Sequence, residues 1–303
     1  MSTPHPLTRG KGRHGEKIAY AALASAAGLT VVVTAGIFLS LLFPALEFFR
    51  EVGVWEFLTG TRWAPRFSDP DFGVLPLISG TFWTTLIGLS IAIPFGLGAA
   101  VYLSEYAGER TRRVLKPVLE VLAGIPSVVY GYFALYFVAP EILRGVFGME
   151  LGTFSVLSAG LVLGIMIIPT VASLSEDAMS AVPQALRQGS YALGSNKMRT
   201  TLRVVFPAAL SGIIASIMLA LSRAVGETMI VALAAGTRAQ VVTDPTMEGQ
   251  TMTGFIAQTA TGESTPGSLG FNTLFAVGLL LFCTTLVFNL VAAAAVRRFR
   301  EAY

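Results

Sequence analysis

The chain has 303 residues, 53% of them hydrophobic and 13% charged, against roughly 45–50% apolar and about 25% charged in soluble domains. That balance excludes an ordinary water-soluble enzyme, and 20 Phe, 3 Trp and 8 Tyr exclude a disordered chain, which lacks such apolar bulk. The net charge of +3 is no footprint of nucleic-acid binding, because the 21 Lys and Arg form short clusters between apolar runs rather than one patch. Cys283 has no second cysteine to pair with, and His5 and His14, both in the polar N-terminal tail, furnish no metal cluster.

A bilayer-spanning helix needs about 20 mostly apolar residues, so charge-free intervals mark the spans. After a basic tail, residues 1–17, the first interval runs from Ile18 to Leu46. It reads as a retained helix, because its apolar run exceeds the roughly 7–15 residues of a signal-peptide core. Ala24-Ser25-Ala26 also precedes its most apolar part rather than following it. An acidic loop, residues 47–71, leads to a region, residues 72–296, with five further intervals: Phe72 to Ser104, Val121 to Pro140, Leu151 to Ser175, Val204 to Thr237 and Ser264 to Val296. The interval Val204 to Thr237 is interrupted by Arg223 and Glu227 alone. A short basic tail, residues 297–303, closes an all-α membrane protein of six transmembrane helices.

Positive residues are retained on the cytoplasmic side. With the N-terminus inside, the four inner segments hold 15 of the 21 Lys and Arg, and the outer loops hold Arg50, Arg62, Arg66, Arg144 and Arg238. Both termini are therefore expected in the cytoplasm. Glycines such as Gly160 and Gly164 recur at a spacing that lets helices approach closely, within the bundle or in a dimer.

Two places inside the spans carry unusual chemistry. A charge within the bilayer is costly and calls for a partner. Arg223 and Glu227 are four residues apart, which on one helix stacks them on one face within pairing distance. Such a pair either pins the helix to its neighbours or lines an ion path. In the second case the guanidinium fork suits a tetrahedral oxyanion, with Ser222 and Thr228 as further hydroxyl donors. The second place is Gly124-Ile-Pro-Ser-Val-Val-Tyr-Gly131, where Pro126 frees a carbonyl one turn earlier. It is either a kink or a pathway lining that includes Pro126, Ser127 and Tyr130. Pro94 and Pro169 read as kinks.

The longest inner segment, residues 176–206, has helical signatures. Pro183 suits a first turn, Val182, Leu186, Gly189 and Leu193 recur at helical spacing, and Gly194 is placed as a C-terminal cap. A second short helix is expected from Ser195, presenting Met198, Leu202 and Val205 and ending before Pro207. Two short amphipathic helices joined by a glycine make a knob, suited to a membrane surface or to the groove of a soluble partner.

Within that segment, Gln188, Gly189, Ser190, Ala192 and Gly194, with Val204-Val-Phe-Pro207 nine residues on, resemble the EAA loop of ABC-importer permeases in spacing. Gln188 replaces the family's Glu, and Gly189 and Ser190 its two Ala; Gly194 and Pro207 are retained. Three further stretches, Phe72 to Thr81, Gly124 to Gly131 and Ser222 to Thr228, are similar to the permeases of the phosphate-specific transport (Pst) system, PstC subtype. The resemblance runs from about residue 15 to the end. It implies a type I importer (MetI-like) core of five helices with the first helix outside it, in a bacterial plasma membrane. It further implies a PstA-like permease partner, a PstB-like ATPase dimer receiving the knob, and a PstS-like phosphate-binding protein outside. Phosphate passage would involve Arg223 and Glu227. The chain has no G-x-x-x-x-G-K-[ST] loop, so it is expected to bind no cofactor and not to be an enzyme, ATP and Mg belonging to the ATPase. A sulfate or molybdate permease, an ion-coupled secondary transporter and a non-transporting scaffold are the competing expectations.

Overall fold

Hydrocarbon offers the backbone no hydrogen-bond partners, so a chain in lipid satisfies its amides internally, which helices do. The computed structural model describes residues 13–67, 69–262 and 267–298. Among these residues every regular element is helical, apart from one isolated bridge between Trp63 and Phe72. Most of the two basic tails, with Arg9, Lys11 and Arg300, lies outside the described residues, as does the start of the last apolar interval at Ser264.

Helix α1 (Arg13–Glu51) is followed by a short α2 (Val54–Thr59) and by α3 (Leu75–Val101), which runs on in π-helical form from Tyr102 to Tyr106. Next come α4 (Glu109–Ala123) and α5 (Ser127–Phe133), the latter extended in π-helical form from Ala134 to Val146. The unbroken α6 (Val156–Ser180) contains Pro169, as α3 contains Pro94. The inner loop holds α7 (Gln184–Ala192) and α8 (Lys197–Thr200). A π-helical stretch, Thr201–Val205, leads on to the single turn α9 (Phe206–Ala208). The chain ends with α10 (Leu210–Val225), α11 (Met229–Ala234), α12 (Met252–Thr261) and α13 (Leu269–Arg298). Four helices, α1, α3 with its extension, α6 and α13, are long and apolar enough to cross a bilayer, and two bent pairs bring the number to six.

Both bent pairs correct the expected spans. The chain turns by 86° between α4 and α5, because Gly124 ends α4 and Pro126, with φ −57° and ψ 135°, cannot continue a helix. No residue of α4 is buried, and it carries Arg110, Arg112, Arg113, Lys116 and Glu120. It is an amphipathic surface helix, so the third span begins at Ser127 rather than Val121. A 71° turn likewise separates Lys197–Ala208 from α10, so the interval Val204 to Thr237 is bent rather than one straight helix.

Three buried clusters follow one another along α3. The first, around Leu77, joins Phe48, Phe57, Trp63, Phe72 and Phe255. The second, around Ala92, unites α5, α6, α10 and α11 through Tyr130, Leu163, Met166, Ala224 and Ile230. The third, around Ala100, adds Met179, Val182, Val205 and Ile213 beside the inner loop. Glycine sets the closest approach: a Cβ on Gly160 would lie 2.8 Å from Ile87 Cβ, and one on Gly164 2.8 Å from the Gly88 carbonyl. The Gly160–Gly164 spacing therefore serves packing of α6 on α3 within this chain.

Candidate functional site

The expected Arg223–Glu227 pair does not form. Helix α10 ends at Val225 and Gly226 closes it, so the two residues lie on opposite sides of a break rather than on one helical face. The Glu227 carboxylate instead accepts the amides of Met229 (3.0 Å) and Ile230 (3.3 Å), capping α11. A carboxylate suits that position because the first amides of a helix have no internal acceptors and carry the positive end of its dipole. The Glu227 carbonyl accepts a hydrogen bond from Thr253 Oγ1, 2.6 Å away at the start of α12.

Arg223 occupies the last turn of α10, where a cation is favoured by the helix dipole. Its Nη1 donates to Thr170 Oγ1 on α6 at 3.0 Å. Among the described residues no carboxylate forms an ion pair with it. Ser222 donates to Asn289 Oδ1 on α13 at 3.1 Å, and Thr228 donates to the nearby Gly226 carbonyl. Thr170 and Asn289 escaped the sequence reading, since uncharged polar residues do not interrupt a charge-free interval.

The second irregular place lies beside the first. A Cβ on Gly131 of α5 would come within 2.8 Å of Leu233 and 3.2 Å of the Met229 carbonyl, so α5 packs directly on α11. The Tyr130 hydroxyl donates to the Leu122 carbonyl across the α4–α5 bend. Pro126 and Ser127 start α5, with Pro126 exposed. Two helix breaks and an arginine with no ion-paired carboxylate among the described residues thus converge between α5, α6, α10 and α11.

At the inner end, α7 and α8 form the expected knob. Gly194 takes the left-handed φ of +80° after α7, and Ser190 Oγ lies 2.8 Å from Thr200 Oγ1, tying the two helices. The second helix starts two residues later than expected, at Lys197, because the Asn196 side chain caps it by accepting the Arg199 amide. Gln188, Gly189, Ala192, Leu193, Gly194, Met198 and Pro207 are exposed, whereas Val205 is buried, so Met198, Leu202 and Val205 do not share one environment.

One buried ion pair anchors this knob to α3 and a second charged group, around buried Glu176, ties α4 to α6; both were invisible in the sequence. Arg187 of α7 is 6% exposed. It donates to Glu105 in the π-helical end of α3 (2.8 Å), to the Met179 carbonyl (2.8 Å) and to the Val182 carbonyl. Glu176, fully buried at the end of α6, accepts from Arg112, Lys116 (2.8 Å) and Ser180 (2.9 Å). Lys116 also reaches Asp177 at 2.7 Å. Hydrogen bonds that Lys116 donates to Asp177 and then Glu176 raise its pKa above the ordinary 10.5.

Residues 92–301 match the family described as binding-protein-dependent transport system inner membrane component. The chain is 39% identical over 236 residues to the probable ABC transporter permease protein YqgH of Bacillus subtilis, covering 78% of this chain and 75% of that one. It is 32% identical over 294 residues to the phosphate transport system permease protein PstC of Mesorhizobium japonicum, covering 91% and 88%. In fold it is similar to a chain of a bacterial ABC transporter that imports alginate (TM-score 0.65, 14% identity, 95% and 100% covered). It also resembles a chain of the MetNI methionine ABC transporter (TM-score 0.55, 20% identity, 76% and 95% covered). The chain is a multi-pass membrane protein and belongs to the binding-protein-dependent transport system inner membrane component family, the permease subunits of ABC importers.

Proposed function

We propose that this chain is the phosphate-translocating permease subunit of an ATP-driven importer, passing inorganic phosphate to the cytoplasm. The observation that carries the proposal is Arg223: a cation inside the fifth span, at a helix break, with no ion-paired carboxylate among the described residues and hydrogen-bonded to Thr170. A cation at membrane depth is costly without an anion, and a guanidinium keeps donors to spare after one hydrogen bond. A passing phosphate supplies the charge that Glu227 does not. The relatives named as phosphate transport system permeases make phosphate the first oxyanion to test.

In this reading Glu227 fixes the break that holds Arg223 at a helix end, and Ser222 and Thr228 border it. The knob around Gly194 docks on a PstB-like ATPase dimer, which binds ATP and Mg, and Arg187 conveys its movement to α3. A PstA-like permease completes the pathway, and a PstS-like protein delivers phosphate on the side opposite the knob, with both termini of this chain in the cytoplasm.

The test is uptake of labelled phosphate by proteoliposomes holding the assembled transporter, with sulfate and molybdate in parallel. Arg223→Ala is expected to abolish uptake while the complex still assembles. Uptake unchanged in that variant, or uptake driven by an ion gradient with no ATPase subunit present, would overturn the proposal.

A further inference from the structure

A threonine in a membrane-spanning helix commonly returns its hydroxyl proton to the carbonyl one turn earlier, since hydrocarbon offers no other acceptor. Thr81 and Thr84 of α3 and Thr284 and Thr285 of α13 all do so, at 2.8–3.0 Å. Thr170 of α6 does not. Its oxygen accepts from Arg223 Nη1 at 3.0 Å, and its own proton has no acceptor among the described residues. A hydroxyl carries one proton and two lone pairs, so the contact with Arg223 uses Thr170 as an acceptor and leaves its donor free.

That free donor sets Thr170 apart from the other hydroxyls beside Arg223. Ser222 donates to Asn289 and Thr228 to the Gly226 carbonyl, so their protons are already engaged. Arg223 commits one of the five N–H groups of a guanidinium to Thr170. Thr170 and Arg223 are both half-buried, so each keeps surface that a small ion can touch. The depth is that of a translocation pathway rather than of its mouth. Thr170 lies ten residues from Ser180 at the knob end of α6, about 15 Å at 1.5 Å per residue, half of a hydrocarbon layer about 30 Å thick.

The Thr170–Arg223 bond is not needed to hold α6 against α10. The two helices already meet through Ser175 and Ser216, both buried, with their side-chain oxygens 2.7 Å apart. They meet again at Gly212, where a Cβ would lie 2.4 Å from Ala178 Cβ. Packing therefore leaves the polar contact unexplained, whereas an anion between the two side chains accounts for both the free hydroxyl proton and the unspent guanidinium donors.

We propose that Thr170 is a second phosphate-contacting residue beside Arg223: its oxygen steadies the guanidinium while its proton is donated to the passing anion. The inference rests on the phosphate-import reading. Two donors within hydrogen-bond distance of each other can address neighbouring oxygens of one oxyanion, and the neutral hydroxyl adds grip without adding a charge that the ion must escape.

The test uses the assembled transporter in proteoliposomes with a saturating concentration of the phosphate-loaded external binding protein. Labelled phosphate uptake, ATP hydrolysis and melting temperature are read together. Thr170→Val keeps the branched shape and removes the hydroxyl. It is expected to lower uptake at least tenfold, as loss of a hydrogen bond to a charged group does, while stimulated ATP hydrolysis and melting stay as in the wild type. Thr170→Ser restores the hydroxyl and is expected to recover uptake to within about twofold. Wild-type uptake by Thr170→Val overturns the proposal, and so does failure of Thr170→Ser, which makes the methyl group and its packing the cause. A parallel fall of uptake and ATP hydrolysis overturns it as well, by placing Thr170 in coupling rather than on the anion. Arg223→Ala separates the inference from the reading beneath it. Uptake intact in Arg223→Ala refutes the import reading, whereas uptake lost in Arg223→Ala and intact in Thr170→Val refutes the role of Thr170 alone.

Discussion

Replacing Arg187 by methionine would isolate a buried charge. The Arg187 and Glu105 side chains are 7% and 4% exposed, so water screens neither. Arg187→Met keeps most of the apolar stem but strips Glu105 of its counterion and the Met179 and Val182 carbonyls of a donor. Removing one member of a buried pair costs about 3–5 kcal/mol, because the other charge stays behind uncompensated. At about 1.4 kcal/mol per decade, the unfolding equilibrium shifts by two orders of magnitude or more. Glu105→Leu on the same background removes that charge. The double variant is expected to recover all but about 1–3 kcal/mol, the cost of the two orphaned carbonyls. The assay is a double-mutant cycle by reversible denaturation in mixed micelles. The reasoning fails if Arg187→Met costs less than about 1 kcal/mol, the scale of an exposed pair, or if the double variant is no more stable than the single one.

Gly160→Leu is expected to destabilise by about 1–3 kcal/mol through overpacking, since even its Cβ would crowd Ile87 and the Thr84 carbonyl; a wild-type melting curve would show that α6 can move off α3. Glu227→Gln keeps an oxygen to cap α11 and is expected to melt as the wild type does, whereas Glu227→Ala loses about 1 kcal/mol. Equal melting of both would remove the capping role. Gly194→Val forces a β-branched residue to φ +80° and is expected to impair coupling of ATP hydrolysis to uptake while phosphate binding by the permease persists; normal coupled transport would sink the knob proposal. The pKa of Lys116 is raised on folding by Asp177 and Glu176. Its stabilising contribution is therefore complete below 10.5 and is lost only as pH rises through the higher folded value. Lys116→Met should accordingly lower the melting temperature equally at pH 7 and pH 9, and a difference that shrank between them would contradict this assignment.

Much of the architecture was legible because lipid imposes a simple rule: a long charge-free run must be a helix. Ile18–Leu46, Phe72–Ser104 and Leu151–Ser175 all fall on long helices. The bends in the third and fifth intervals were missed because hydropathy carries no direction. A bend at Gly124–Pro126 and another at Ala209 leave the charge-free interval intact while turning the chain by 86° and 71°. Spacing misled at Arg223 and Glu227 for a related reason: the four-residue rule presumes an unbroken helix, and Gly226 ends this one. The knob was readable from local signals, a proline, a glycine and helical periodicity. Its anchor was not, because Arg187 and Glu105 are 82 positions apart, and the tie between α4 and α6 was hidden likewise, Lys116 and Glu176 being 60 apart. Counted as topology charges, Arg112, Lys116 and Arg187 gave no sign that they close buried contacts.

The length of α1 has a consequence for the aromatic cluster at its C-terminal end. From Lys17 to Phe48 the helix is unbroken, a rise of about 46 Å at 1.5 Å per residue, whereas the hydrocarbon layer is about 30 Å thick. A tilt of about 20°, usual for such helices, shortens that reach only slightly. With Lys17 at one edge of the hydrocarbon, Phe48 and the aromatic cluster it shares with Phe57, Trp63, Phe72 and Phe255 stand above the lipid tails at the other, at or beyond the headgroups. That cluster is held together by water rather than by lipid, like the core of a small soluble domain mounted on a membrane stalk. Its stability should follow urea and temperature as soluble cores do, with little regard to bilayer composition.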